Sequence, residues 1–209
     1  SSPEEQARTY RAGLETEGIE QVIVMGISAG GAPSIRFALD YPQLTRGLVL
    51  VAADVPSSGP AEATGPPRML LNDFPFWLMT RPFRSVMFRM FGVDRGDYEQ
   101  ARSRDRNSVN AVFSSLIPVA PRREGMINDE QVTTMDMSRN YDDYPLEDLE
   151  MPVLILQARN DPLADYEKVN GAAARVPDCT FVEFESGGHL LVGHGREIEE
   201  HLQDYLAQL

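Results

Sequence analysis

Cysteine and lysine are almost absent from this 209-residue chain, which has one of each, Cys179 and Lys168. A lone cysteine excludes a disulfide framework, a thiolate zinc site and a dithiol redox pair within the chain. It sits in the apolar run CTFVEF and reads as a small buried hydrophobe. There are three histidines and one tryptophan, so chemistry that needs an imidazole has few places to go. No apolar run approaches the roughly 20 residues required to span a bilayer. No secretory leader is recognisable at the start, which reads like the middle of a protein; a cytoplasmic setting is expected ahead of a secreted one. Basic charge is scarce too, 19 Lys+Arg against 32 Asp+Glu, a formal net charge of -13. So acidic a surface repels phosphate backbones and anionic headgroups, and neither nucleic acid nor a membrane is expected as a partner.

What the chain does have is 42% apolar residues, in an alternating pattern. Ser2 caps a helix that begins at Pro3 and stops at Gly18. QVIVMG (Gln21 to Gly26), GLVLVA (Gly47 to Ala52), PVLILQA (Pro152 to Ala158) and CTFVEF (Cys179 to Phe184) are short, β-branched apolar runs, the signature of buried parallel strands. Helices are expected over GGAPSIRFALDY (Gly30 to Tyr41), around Ala164 to Arg175, and from about Arg196 to Leu209. This alternation predicts an α/β fold with a parallel sheet. Between Val55 and Pro67 the chain reads as a Pro/Gly/Ser/Ala linker, and from Met69 to about Tyr141 aromatics, methionines and arginines interleave at helical spacing as an insertion.

Gly26-Ile27-Ser28-Ala29-Gly30 fits G-x-S-x-G. The pentapeptide is weak alone, but here a buried strand precedes it and a helix follows, the context that forces the serine onto a sharp turn. A Cβ at Gly26 or Gly30 is expected to collide across so tight a turn. The Ala29 backbone N–H, at the helix N-terminus, is placed to donate to a developing oxyanion.

A serine needs a base. His189 lies in the loop directly after the last strand, at the sheet edge where Ser28 emerges; His194, one short loop on, is its rival, and His201 falls inside the final helix. For the carboxylate that orients the imidazole, Asp161 closes ARND after a strand, while Asp54 and Asp165 are the alternatives. The order Ser28, Asp161, His189 is that of a strand-turn-helix hydrolase, and the chemistry calls for no cofactor and no metal.

VIVMGISAGG, PVLILQARNDPLAD and ESGGHLLVGH together resemble the α/β-hydrolase superfamily, with GISAGG and GGHLL similar to bacterial esterases and to carbon–carbon bond hydrolases. The resemblance implies a hydrolase core over residues 1–56 and 145–209 with a helical cap over 57–144. It implies a serine hydrolase for carboxylic esters acting through an acyl-enzyme. A lactonase or carbon–carbon hydrolase with the same triad, or a non-catalytic ligand-binding scaffold, stays open. The substrate expected is a small ester with a hydrophobic moiety, against Trp77, Phe83, Met87 and Leu190; Arg122 or Arg123 could hold a substrate carboxylate. The family places further strands, and a second oxyanion donor, before the elbow. Nothing here matches them, so a separate N-terminal polypeptide is expected to complete the sheet and cover the apolar edge at Gln21.

Overall fold

A computed structural model describes residues 1–58 and 71–209. The linker expected from Val55 to Pro67 falls largely outside these residues, as does the start of the insertion at Met69. Four strands, β1 (Val22–Ile27), β2 (Thr45–Val51), β3 (Val153–Ala158) and β4 (Cys179–Phe184), form one sheet in the order β1-β2-β3-β4. Every neighbouring pair is parallel.

Helix α1 (Pro3–Glu17) starts as its sequence dictates. Ser2 accepts from the Glu5 N–H, the Glu5 carboxylate accepts from the Ser2 N–H, and Pro3 occupies the first turn. Gly18 closes it in the left-handed region at φ 67°, where glycine has no Cβ to strain. The elbow takes a short 3₁₀ turn, Ser28–Gly30, before α2 (Gly31–Asp40) begins; the helix therefore starts one residue later than the pattern suggests.

Strand residues alternate between the two faces of the sheet. Leu48, Leu50, Val153 and Ile155 point to one side, into a core shared with Ile35 and Ala38 of α2 and with Val169 and Ala172 of α9 (Tyr166–Ala173). Val49, Leu154 and Leu156 point to the other, where Ile198, Leu202 and Tyr205 of the C-terminal helix, α10 (Gly195–Gln208), cover them. The Tyr205 hydroxyl donates to the Pro152 carbonyl at 2.6 Å, which ties α10 to the start of β3. That cover stops short of β1. Met25 and Ile27 pair with Val49 and Val51 and so share the α10 face, yet they are 48% and 58% exposed.

Between β2 and β3 the described residues form a helical segment with a core of its own. Helices α3 (Asp73–Thr80), α4 (Arg84–Met90), α5 (Arg95–Gln100) and α6 (Ser103–Ser115) gather Phe76, Met87, Phe88, Val109 and Phe113. A continuous run then follows as α7 (Arg123–Asn128), a π turn and α8 (Thr134–Arg139). None of the helices among the described residues is long and apolar enough to cross a membrane.

Leu156 is fully buried at the centre of the α10-facing core. Leu156→Ala is expected to cost about 3 kcal/mol, a lost transfer term plus a cavity. Urea denaturation should show a lower midpoint at unchanged m-value; an unshifted midpoint would mean that this face is not packed as described.

Candidate active site

The turn after β1 holds Ser28 at φ 54°, a left-handed conformation that costs a residue with a Cβ of order 1–3 kcal/mol and persists only where the surroundings over-determine it. Those surroundings are visible. The Asp54 N–H donates to the Ser28 carbonyl at 3.0 Å, bracing the turn from the end of β2. A Cβ at Gly26 would lie 2.8 Å from the Gly30 carbonyl oxygen and 2.9 Å from Ser34 Oγ. Gly30, by contrast, has open space where its Cβ would be, and it is Gly31 that lies hard against the Asp54 backbone. The crowding expected at Gly30 is thus found one residue later, because the short 3₁₀ turn carries Gly30 outward and Gly31 in against the neighbouring strand.

Beyond β4, Gly187 (φ 105°) and Gly188 (φ 59°) turn the chain so that His189 faces the elbow. Its Nε2 lies 2.8 Å from Ser28 Oγ, and its Nδ1 lies 2.9 and 3.1 Å from the two carboxylate oxygens of Asp161. A carboxylate can only accept, so Nδ1 carries the proton and Nε2 is left as the acceptor facing the serine hydroxyl. Both His189 and Asp161 are buried. Asp161 is fixed in turn: Oδ1 accepts from the Leu163 and Ala164 N–H groups at 2.8 and 3.1 Å, and Oδ2 from Gln157 Nε2 at 3.2 Å.

The alternatives lie elsewhere. Asp165 caps α9 by accepting from the Lys168 N–H. His194 is the N-cap residue of α10, against Glu197 and the Phe184 ring, and His201 is within that helix. Asp54 accepts from Thr134 Oγ1 at 2.8 Å and borders a polar cavity of about 290 Å³ together with Thr134, Asp161 and Lys168. Burial pushes its carboxyl above the usual carboxylate range, against the opposing pull of the Thr134 hydrogen bond and of His189.

A family model of the α/β hydrolase fold matches residues 5–193 of the chain. The chain belongs to the α/β-hydrolase fold family. Among solved structures it is similar to an α/β-hydrolase fold protein from Nakamurella multipartita, at 24% identity and TM-score 0.70, over 92% of this chain and 71% of that one. It is also similar to a probable hydrolytic enzyme from Pseudomonas aeruginosa, at 23% identity and TM-score 0.64, over 100% and 70% of the two chains. A thermophilic esterase from Thermogutta terrifontis matches at 19% identity and TM-score 0.66, over 100% and 73%. No curated protein matches by sequence.

Around these three side chains the structure adds residues that the sequence did not single out. Asn160 accepts from the Gly188 N–H at 2.9 Å through Oδ1 and reaches the Gly92 carbonyl through Nδ2. The Phe91 carbonyl accepts from the His189 N–H at 2.8 Å, and the Phe91 ring lies 6.0 Å from the imidazole. Gly92, at φ 64°, sits so close to the acid loop that a Cβ would lie 2.8 Å from the Asn160 carbonyl oxygen. The Phe91–Gly92 turn of the helical segment is therefore wedged between the acid loop and the histidine loop. Gln157 had a legible signal, an amide inside an otherwise apolar strand; Phe91 and Gly92 had none, since both belong to an aromatic stretch that reads as core.

Of the apolar residues expected to meet substrate, Met87 is sealed inside the core of the helical segment and Leu190 is half-buried against the same cluster. Trp77 and Phe83 are exposed. Arg123 donates to the Leu71 carbonyl and Asn72 Oδ1, and Arg122 to the carbonyls of Ser115 and Pro118; both arginines close loops of the helical segment.

The elbow makes opposite demands at two neighbouring glycines. Gly26→Ala is expected to lower stability by about 1–3 kcal/mol through overpacking, a drop in Tm of roughly 3–10 °C for a chain of this size. Gly30→Ala should be neutral within about 0.5 kcal/mol. Calorimetry on the two variants that gave equal Tm shifts would contradict this description of the turn.

Proposed function

We propose that the protein is a serine hydrolase that cleaves carboxylic esters, with Ser28 as nucleophile, His189 as general base and Asp161 as the carboxylate that orients it. The observation that carries this reading is the unbroken relay from Ser28 Oγ through His189 to Asp161, at 2.8 and 2.9 Å. Ser28 Oγ attacks the ester carbonyl carbon while its proton passes to His189 Nε2; Asp161 stays ionised and stabilises the imidazolium. The tetrahedral intermediate collapses, the C–O bond to the alcohol breaks, and His189 returns the proton to the departing oxygen. Water then attacks the acyl-enzyme with His189 again as base, releasing the acid and restoring the serine. The Ala29 N–H, first after the nucleophile, is the oxyanion donor supplied by this chain.

A fluorophosphonate probe should label the protein, and Ser28→Ala should abolish the label. Asp161→Asn is expected to lower kcat about 10⁴-fold, because the imidazole is then held in the wrong tautomer. On a panel of short-chain esters, lactones and β-diketones, the esters should turn over fastest. A folded wild-type protein that takes no label would support a ligand-binding scaffold instead.

The same reading requires β1 to be paired on its outer side. Among the described residues β1 is an edge strand, and Met25 and Ile27 leave apolar surface open on the face that α10 covers elsewhere. A long apolar edge beside a reactive serine is a template for aggregation. We propose that a further parallel strand, from a polypeptide segment outside these residues, pairs with β1 in the active protein. Hydrogen exchange on the active protein should then show the outward-facing amides of residues 22–27 as protected as those of β3; exchange at open-coil rates would refute the pairing.

A further inference from the structure

The first residue of α4 is a guanidinium without a counter-ion among the described residues. Arg84 Nη2 donates to Asn110 Oδ1 and, at 3.2 Å, to the Tyr98 hydroxyl; both partners are neutral. Its Nε is buried and meets no hydrogen-bond acceptor. The rings of Phe88, Tyr98 and Phe113 surround the charge, with centroids 5.1, 5.2 and 5.5 Å from the guanidinium carbon. Aromatic faces attract a cation, but they do not replace a carboxylate in a desolvated setting. Acids are plentiful in this chain; of those on α5 and its cap, Asp94 caps the helix and Glu99 pairs with Arg95.

Arg84 also lines a cavity of about 450 Å³, with Arg81, Asn110, Trp77, Phe113 and Ile117 on its walls. Neither arginine makes an ion pair among the described residues. The volume falls within the range of small-molecule sites, and the mixture of an apolar wall with a few convergent donors is their usual chemistry. Two cations and the Asn110 amide, whose oxygen is already committed to Arg84 and Tyr98, favour an anion; the indole, phenyl and isoleucine walls favour an apolar body.

We propose that this cavity binds a small organic monocarboxylate, with the carboxylate on Arg84 and Arg81 and the hydrocarbon or aryl body against Trp77, Phe113 and Ile117. The cavity is not walled by Ser28 or His189, and two rings lie between: Phe113 packs on Phe91 at 5.5 Å, and Phe91 on His189 at 6.0 Å. Binding here therefore does not depend on an intact nucleophile.

Trp77, the chain's only tryptophan, lies on the cavity wall and reports occupancy. In a carboxylate-free buffer at neutral pH, hexanoate and phenylacetate should each change the tryptophan emission saturably, and hexanamide and phenylacetamide should bind at least tenfold more weakly. Ser28→Ala should bind as wild type does, Arg84→Gln at least tenfold more weakly, and Arg81→Gln about two- to fivefold more weakly. Equal responses to acid and amide would overturn the proposal, as would inorganic phosphate matching the organic acids, no response at all, or unchanged binding in both arginine variants. If circular dichroism shows Arg84→Gln unfolded, the acid–amide comparison on wild-type protein decides alone.

Discussion

The imidazole of His189 hydrogen-bonds on both sides, to a serine 161 residues away in sequence and to a carboxylate 28 residues away. The neutral bond contributes a net 0.5–1.5 kcal/mol or so and the one to the carboxylate about 1.5–3, whereas fixing the backbone costs about 1–2 kcal/mol for every residue of the loops that carry them. The relay cannot assemble itself. It exists because three loops leave the same end of a parallel sheet, and the sheet is held by burial. Val51 pairs with Leu156 and Ala158 with Phe184, so the strands bearing the elbow, the acid and the base end within a few residues of one another. The fully buried Leu154, Leu156 and Ala158 and the nearly buried Val49 and Phe184 supply the stabilisation that the hydrogen bonds do not.

The helical segment contributes to the same end. Its Phe91–Gly92 turn takes the His189 N–H on one side and meets Asn160 on the other, and Thr134, at the start of α8, donates to Asp54 beside the elbow. Three of the loops around the serine are thereby tied to helices from the insertion. A segment held in this way clamps the loops that carry His189 and Asp161, and its own core of Met87, Phe88, Val109 and Phe113 backs that clamp.

Much of this was legible in the residues because it depends on local rules. Four apolar runs bounded by breakers mark the strands, Ser2 and Pro3 mark the start of the first helix, and a strand-serine-helix junction places the elbow. The positions of His189 and Asp161 after strands followed from the way parallel strands share a carboxyl edge. What could not be read was long-range. No periodicity in WLMTRPFRSVMFRMFG tells that Phe91 and Gly92 would lodge between two distant loops, or that Met87 would be sealed while Phe83 stays open. The crowding expected at the elbow holds at Gly26 but not at Gly30: the second close contact falls on Gly31, because a 3₁₀ turn advances the chain by a different angle from an α-helical one.

That displacement bears on how the elbow is supported. On the β2 side the strained Ser28 is braced twice, by the Asp54 N–H and by the close approach of Gly31 to the Asp54 backbone. On the outer side it is braced by nothing among the described residues: Ile27 is largely exposed and Gly30 faces open space. An outward swing of this left-handed serine, even a small one, would lengthen the 2.8 Å contact to His189, on which the proposed proton transfer depends. A strand paired to β1 would close that route. Covering the apolar face and keeping Ser28 in its strained geometry would then be one requirement, and the proposed backbone pairing would meet both parts of it.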